Sequence, residues 1–297
     1  MTKIAVGSSS FGKTSNAPLE LMKTKGIEVI VNPYGRKMTE LEAIELFKDV
    51  DGVLAGLEPL NEKVISSCPN IKAISRIGVG MDNVDLSYAK KKGIKVSNTP
   101  DGPTDAVAEM TFAALLTIIH KIIESNEEIH RKEWKKHMGY SISELSIFFI
   151  GYGRIGRKTA ELMRLMGAKT FAFDKYNLEL SDCTLEEGLQ MADVISLHAS
   201  GTDCLISEEE IQMMKDGCIL LNSARGGLID ENAVYDALKN GKISYYWADS
   251  HPQEPYVGKL IELKNAILTP HISTYTESCR KRMETQAVEN LLRDLNV

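Results

Sequence analysis

No two of the five cysteines stand at metal-ligand spacing, and Cys68, Cys183, Cys204, Cys218 and Cys279 are scattered and odd in number. That argues against both a zinc site and a disulfide framework and fits reduced thiols in the cytoplasm. Long hydrophobic runs are missing too. The longest nearly apolar stretch, Met110 to Ile119, is too short to span a bilayer, so no membrane is expected. The opening Met1-Thr2-Lys3-Ile4-Ala5-Val6 reads as a first strand and not as a signal peptide. A basic patch is also lacking. The net charge is −6, Lys90-Lys91-Lys92 reads as a solvated helix end, and no nucleic-acid partner is expected. What remains is 43% apolar and 26% charged residues in 297 positions, the balance of an ordinary globular chain. At roughly 150 residues per domain, two domains are expected.

Short apolar strands alternate with amphipathic helices along the chain. The first hundred residues offer strands at Lys3–Gly7, Ile27–Val31, Gly52–Ala55, Lys72–Ser75 and Ile94–Ser97, with helical stretches such as Glu40–Lys48 and Leu86–Lys92 between them. A long apolar-periodic helix is predicted from Asp105 to about Glu127, and the polar stretch Glu124–His137 resembles an exposed arm. A second alternation follows, with strands at Ser146–Ile150, Thr170–Asp174, Val194–His198, Cys218–Asn222, Tyr245–Asp249 and Ala266–Leu268, and a closing helix from Glu277 to Leu295. Such alternation builds parallel sheets covered on both faces, so the predicted class is α/β with two doubly wound parallel-sheet domains.

Gly151-Tyr152-Gly153-Arg154-Ile155-Gly156 is a G-x-G-x-x-G string. It follows the apolar strand Ile147-Phe148-Phe149-Ile150 and opens a helix, the context in which that string binds a dinucleotide. Gly151 permits the tight turn, Gly153 lets the backbone approach a pyrophosphate, and Gly156 lets the helix pack on the strand. The next strand closes on Asp174, whose carboxylate suits ribose hydroxyls and repels a 2′-phosphate, so NAD is the expected cofactor.

Ligands of open α/β sheets bind outside the carboxyl ends of the strands. Three strands lead there into ionisable residues: Arg225 after Cys218–Asn222, Glu254 after Tyr245–Asp249, and His271 after Ala266–Leu268. An imidazole can move the hydroxyl proton of an alcohol near neutral pH. A carboxylate on its other nitrogen fixes the tautomer. A guanidinium can grip a substrate carboxylate in two-point geometry. The other histidines, His120, His130, His137, His198 and His251, read as structural, and Asp230 reads as a helix cap.

At these residues the sequence resembles the D-2-hydroxyacid dehydrogenase family, which includes the D-3-phosphoglycerate dehydrogenases. The matching stretches are the glycine fingerprint, Asn222–Asp230, Gln253-Glu254-Pro255, Thr269–Ile272 with Thr276-Glu277, Arg76–Asp85, Asn98-Thr99-Pro100 and Val107-Ala108-Glu109. The resemblance implies an NAD-dependent oxidoreductase that moves a hydride between the cofactor and a D-2-hydroxy acid or its 2-keto acid. It implies His271 as acid/base, Glu254 as its partner and Arg225 as the substrate-carboxylate anchor, helped by the amides of Val79 and Gly80. It implies a flavodoxin-like substrate domain at 1–98, completed by 276–297, and a Rossmann NAD domain at 99–275. Thr104, Arg154, Ile155, Ala224 and Asp249 join Gly151, Gly153, Gly156 and Asp174 as expected cofactor contacts, and a homodimer is expected through the long helix and the arm.

Departures from the family pattern set further expectations. The stretch from Asp174 to Val194 is about a dozen residues short, so a helix after that strand is expected to be lost. The aromatics Tyr245-Tyr246-Trp247 stand where small residues are usual and are expected to fill the vacated space. The loop Ala199-Ser200-Gly201-Thr202-Asp203 is trimmed, and no terminal regulatory domain is expected. Arg36, with Lys37, follows the strand Ile27–Val31 and is expected to hold an anionic substrate tail, as in 3-phosphoglycerate. Two competing readings are weaker. An NAD-binding regulator without turnover would not need the Arg/Glu/His trio. An L-hydroxyacid dehydrogenase would carry its fingerprint at the N-terminus.

Overall fold

Runs of residues buried on both faces decide the architecture. In the first half of the chain β1 (Lys3–Val6), β2 (Glu28–Val31), β3 (Gly52–Ala55), β4 (Ala73–Arg76) and β5 (Lys95–Asn98) pair in parallel in the order β2-β1-β3-β4-β5. Helices α1 (Ala17–Thr24), α2 (Glu40–Phe47), α3 (Glu62–Ser67) and α4 (Leu86–Lys91) connect them. Their starts are set by local chemistry. Thr39 and Glu42 form a capping box on α2, Asn61 caps α3 and Asp85 caps α4, each satisfying otherwise unpaired N–H groups of the first turn. The computed structural model describes residues 1–201 and 203–297.

The second half carries α5 (Thr104–Ile119), α6 (Ile122–His130), β6 (Ser146–Ile150), α7 (Arg154–Leu165), β7 (Lys169–Phe173), α8 (Leu185–Met191), β8 (Val194–Leu197), α9 (Glu208–Met213), β9 (Cys218–Asn222), α10 (Glu231–Asn240), β10 (Ile243–Ala248) and β11 (Ala266–Leu268). Its six strands are parallel in the order β11-β10-β9-β8-β6-β7. Successive side chains leave a strand on opposite faces. Phe148 and Tyr246 therefore enter one core and Phe149 and Trp247 the other. The chain ends in α11 (Glu277–Leu295), capped by Thr276. It forms two compact units, Met1–Pro103 with Tyr275–Val297, and Thr104–Thr274. No single helix among the described residues is long and apolar enough to cross a membrane.

The structure corrects two expectations and extends a third. The long helix from Asp105 is two helices bent by 59°, broken at Lys121, which adopts a left-handed backbone (φ 54°). Tertiary contacts fix the break: the Lys121 ammonium lies 4.0 Å from the Tyr245 ring centroid, and the Tyr245 hydroxyl bonds Glu124. The shortened stretch after β7 keeps a 3-10 turn, Leu178–Leu180, and the two-turn α8. What is missing is a strand together with the crossover helix that would lead to it, so the expected loss takes in more than a helix. A doubly wound sheet of order 3-2-1-4-5-6 places a further strand outside its second one, whereas β7 is here the edge. Side chains cover that edge instead. Asp182 Oδ2 accepts the Ala172 N–H at 2.9 Å while its own N–H donates to the Ala172 carbonyl, and Ser181 Oγ accepts the Asp174 N–H. Such cover protects an edge strand from pairing with other chains. The aromatics of β10 do not fill that place, because β10 lies four strand positions from β7, roughly 19 Å away. Tyr246 and Trp247 pack the cores on the two faces of β10 itself. Of the trimmed loop after His198, Thr202 lies outside the described residues.

In the first unit α11 buries Met283, Ala287, Val288 and Leu291. It also buries an ion pair. Arg280 Nη2 donates to Glu284 Oε1 at 2.7 Å and to Ser8 Oγ at 3.4 Å, and Glu284 Oε2 accepts the Gly12 N–H at 3.0 Å. The pair thus ties the loop after β1 to α11. Removing one partner leaves a buried charge uncompensated, so Glu284→Ala should cost about 3–5 kcal/mol in urea unfolding. A double Arg280→Met, Glu284→Leu variant, which leaves no charge behind, should lose far less.

Candidate active site

The fingerprint loop fits a dinucleotide. Gly151 has φ +91°, and a Cβ there would sit 2.5 Å from the Ala199 nitrogen. A Cβ on Gly156 would sit 2.2 Å from the Gly151 carbonyl oxygen, so the start of α7 packs directly on the turn. Around Gly153 nothing lies within 4 Å of such an atom, which leaves the backbone open on the side where a pyrophosphate approaches. Gly153 caps α7 without a side-chain hydrogen bond, and Arg154 and Ile155 form its first turn. Asp174 closes the turn from β7. Its Oδ2 accepts the Tyr152 N–H at 2.8 Å, and its Oδ1 accepts those of Tyr176 and Asn177 at 3.0 Å. A carboxylate has about four acceptor sites, so one remains for a ribose hydroxyl. At the first position of α5 the Thr104 hydroxyl is buried with no partner among the described residues, an orphan that a polar ligand group would satisfy.

The three strand ends carry the proton chemistry. His271 Nδ1 stands 3.0 and 3.1 Å from the Glu254 carboxylate oxygens. Burial pushes the Glu254 carboxyl up, but the hydrogen bond and charge of His271, with the His251 N–H, outweigh it and hold the group below the ordinary carboxylate range. Glu254 therefore stays ionised against Nδ1 and leaves Nε2 for a reacting group. The Arg225 turn is shaped by Asn222, whose amide donates to the Arg225 carbonyl at 2.9 Å and whose Oδ1 accepts the Ala224 N–H at 3.0 Å. Arg225 itself donates to the Ala224 carbonyl at 2.8 Å. The next residue, Gly226, abuts the His251-Pro252 backbone, where a Cβ would fall 2.1 Å from the His251 carbonyl carbon. That close approach brings the Arg225 loop against the Glu254 loop.

His271 lies in the left-handed region at φ 55°, a strained setting for a histidine. The buried Asp249 holds it there, accepting the N–H groups of Ile272 at 2.9 Å and Ser273 at 2.8 Å and the Thr269 hydroxyl at 2.7 Å. Asp249, expected from the sequence as a cofactor contact, thus directs at least three of its acceptor sites to the His271 turn. His251, read as structural, touches the pair: its N–H donates to Glu254 at 3.2 Å, and its ring bonds the Thr269 carbonyl at 2.9 Å. The His251-x-x-Glu254 spacing was the sequence signal for it. His198 is half-buried between Ser196 and Ser223, with Nε2 2.8 Å from the first hydroxyl and Nδ1 3.2 Å from the second. Desolvation pushes it from 6.5 down to about 3, so it is neutral. Asp230 caps α10 through the N–H groups of Asn232 and Ala233.

In the first unit the turn after β4 carries Val79, which is 39% exposed, and Gly80. Gly78 anchors that turn by donating to Thr99 Oγ1 at 2.7 Å. Arg36 is committed elsewhere. Its guanidinium donates to both Glu42 oxygens, at 2.9 and 2.7 Å, and stacks over Tyr34. It follows β2, the outer strand, three positions from β4 and roughly 14 Å along the sheet. The structure therefore does not present Arg36 as the anchor of an anionic tail. No group of three metal-binding side chains occurs among the described residues.

The sequence model of the family described as "D-isomer specific 2-hydroxyacid dehydrogenase, NAD binding domain" matches residues 112–273. The chain belongs to the D-isomer specific 2-hydroxyacid dehydrogenase family. It is 36% identical over 290 residues to a hydroxypyruvate reductase of Blautia hydrogenotrophica, covering 90% of each chain. It is 32% identical over 270 residues to a glyoxylate reductase of Thermococcus litoralis, covering 84% of this chain and 82% of that one. The solved D-lactate dehydrogenase of Aquifex aeolicus, complexed with NAD and lactic acid, matches with a TM-score of 0.84 at 27% identity over 99% of this chain and 96% of that one. The dehydrogenase is an NAD-dependent oxidoreductase acting on 2-hydroxy acids and their 2-keto acids, with a Rossmann-type NAD domain as expected.

The neutral His198 gives this dehydrogenase a specific acid sensitivity. Unfolding returns the ring to its ordinary 6.5, so between that pH and about 3 the unfolded chain binds a proton that the native chain refuses. The His198 contribution should be complete above 6.5 and fall as pH drops through that window, by up to about 1.4 kcal/mol per pH unit. Unfolding measured from pH 7 to 4 should show a shallower slope in His198→Asn than in the native protein.

Proposed function

We propose that this dehydrogenase reduces short 2-keto acids with an uncharged tail, of the hydroxypyruvate or glyoxylate type, using NADH. The observation that carries the reading is the His271–Glu254 pair beside the Arg225 loop, a proton donor with a fixed tautomer and a carboxylate anchor on adjacent strand ends. The engagement of Arg36 with Glu42 favours uncharged tails, and so do the relatives named hydroxypyruvate reductase and glyoxylate reductase. When bound, NADH supplies the hydride that reaches the keto carbon. Arg225 grips a substrate carboxylate with its fork. Within the first unit, read as the substrate-binding domain, the N–H groups of Val79 and Gly80 are the donors for such a carboxylate. His271 Nε2 donates its proton to the keto oxygen as charge develops there, while Glu254 holds Nδ1 and the resulting tautomer. Asp249 keeps the His271 turn in register. Gly151, Gly153, Gly156, Arg154 and Ile155 receive the pyrophosphate, Asp174 the ribose, and Thr104 and Ala224 complete the cofactor contacts.

The working form is a cytoplasmic homodimer. Ile129, Trp134, Met138 and Tyr140 are 53%, 84%, 92% and 58% exposed on α6 and the segment after it, an apolar surface that a second copy would cover with two-fold symmetry.

Two measurements test this. His271→Asn should lower kcat for glyoxylate and hydroxypyruvate reduction by about 10²–10⁴-fold while NADH binding, followed by fluorescence, is retained; near-normal turnover would remove His271 from its role. Light scattering should give the mass of two chains, and Trp134→Glu should shift it to one.

A further inference from the structure

In the order β2-β1-β3-β4-β5 the sheet reverses direction between β1 and β3, and ligands of such sheets bind in the crevice at that point, beyond the strand ends. Here the crevice lies between the loops that begin at Gly7 and Gly56. A side chain of the protein fills it. Glu58 is 1% exposed, and both its oxygens accept the Gly56 N–H, at 3.0 and 3.1 Å. A Cβ on Gly7 would fall 1.9 Å from Glu58 Oε1, and one on Gly56 would fall 3.0 Å from Oε2. The two glycines shape the slot that this carboxylate occupies. Arg76 of β4 and Lys37, after β2, are the cations within electrostatic reach of it. A glycine-lined gap, a backbone N–H and two nearby cations are the parts of an anion cradle.

The cradle adjoins the turn that carries Val79 and Gly80. Asn83 of that turn donates from its amide to the Gly56 carbonyl at 3.2 Å and the Glu58 carbonyl at 2.7 Å, and its own carbonyl accepts the Leu60 N–H at 2.7 Å. β3 and β4 are neighbours, one strand spacing of roughly 4.8 Å apart. A three-carbon acid held by its carboxylate at Val79 and Gly80 therefore has its third carbon within reach of the Glu58 loop.

We propose that Glu58 determines the substrate class by placing its own carboxylate in the β1/β3 cradle and so denying that anion site to a charged substrate tail. The inference rests on the reading that Val79 and Gly80 hold the substrate carboxylate. Burial pushes the Glu58 carboxyl up, yet protonated or ionised the side chain fills the same slot.

The test compares glyoxylate, hydroxypyruvate and hydroxypyruvate phosphorylated on carbon 3 as substrates for the native enzyme, Glu58→Ser and Glu58→Gln. The native enzyme should favour hydroxypyruvate over its phosphorylated form. Glu58→Ser, which empties the cradle, should raise the kcat/KM ratio of phosphorylated to unphosphorylated acid by about tenfold or more, mainly through KM, and should leave glyoxylate, which has no tail, within about twofold. Inorganic phosphate should become a competitive inhibitor of this variant only. Glu58→Gln keeps the volume and removes the charge, so it should shift the ratio less. A native enzyme that prefers the phosphorylated acid, or a folded Glu58→Ser with an unchanged ratio, would overturn the proposal. If Glu58→Ser does not fold, an unchanged ratio in Glu58→Gln would do so. A native enzyme that reduces neither glyoxylate nor hydroxypyruvate would instead refute the proposed function. Calorimetric titration of Glu58→Ser with inorganic phosphate would then decide the cradle alone, binding supporting it and no binding overturning it.

Discussion

Asp249 holds His271 in a left-handed conformation that few non-glycine residues adopt. A left-handed backbone at a non-glycine residue costs on the order of 1–3 kcal/mol and persists only where surrounding bonds over-determine it. Here the N–H groups of Ile272 and Ser273 and the Thr269 hydroxyl converge on one buried carboxylate, which is 2% exposed. The geometry of the His271–Glu254 pair is a consequence of that bracket. The bracket in turn depends on β10 and β11 lying side by side, since Asp249 follows one and Thr269 the other.

The second unit leaves its glycine turn open to an anion, and the first unit closes its own. Around Gly153 the backbone faces free space, whereas Gly7 and Gly56 face Glu58. Both places are strand ends of doubly wound sheets and offer backbone N–H groups to negative charge. The chain thus keeps one anion site for a cofactor and occupies the other with a side chain. The same economy of side chains appears at β7. Asp182 and Ser181 take the backbone groups that an outer strand would have paired.

The strand ladder and helix starts were legible in sequence because they rest on local rules. Apolar runs mark the central parallel strands, and capping residues such as Thr39, Asn61, Asp85 and Thr276 stand immediately before the helices they start. The break at Lys121 was not legible. The apolar period runs through it, and what bends the helix is Tyr245, distant in sequence.

The sequence by itself determined the two α/β sheets, the glycine turn with Asp174, and the Arg225, Glu254 and His271 strand ends, because period, caps and motif spacing are written within a few residues of one another. Tertiary structure alone decided which charges are engaged and with whom. It turned Asp249 onto the His271 loop, bonded the His251 ring to the Thr269 carbonyl and set Glu58 against Gly7. A charged residue reads the same in sequence whether it meets solvent, ligand or another side chain. Its partner is chosen by distances that exist only once the strands have been laid side by side.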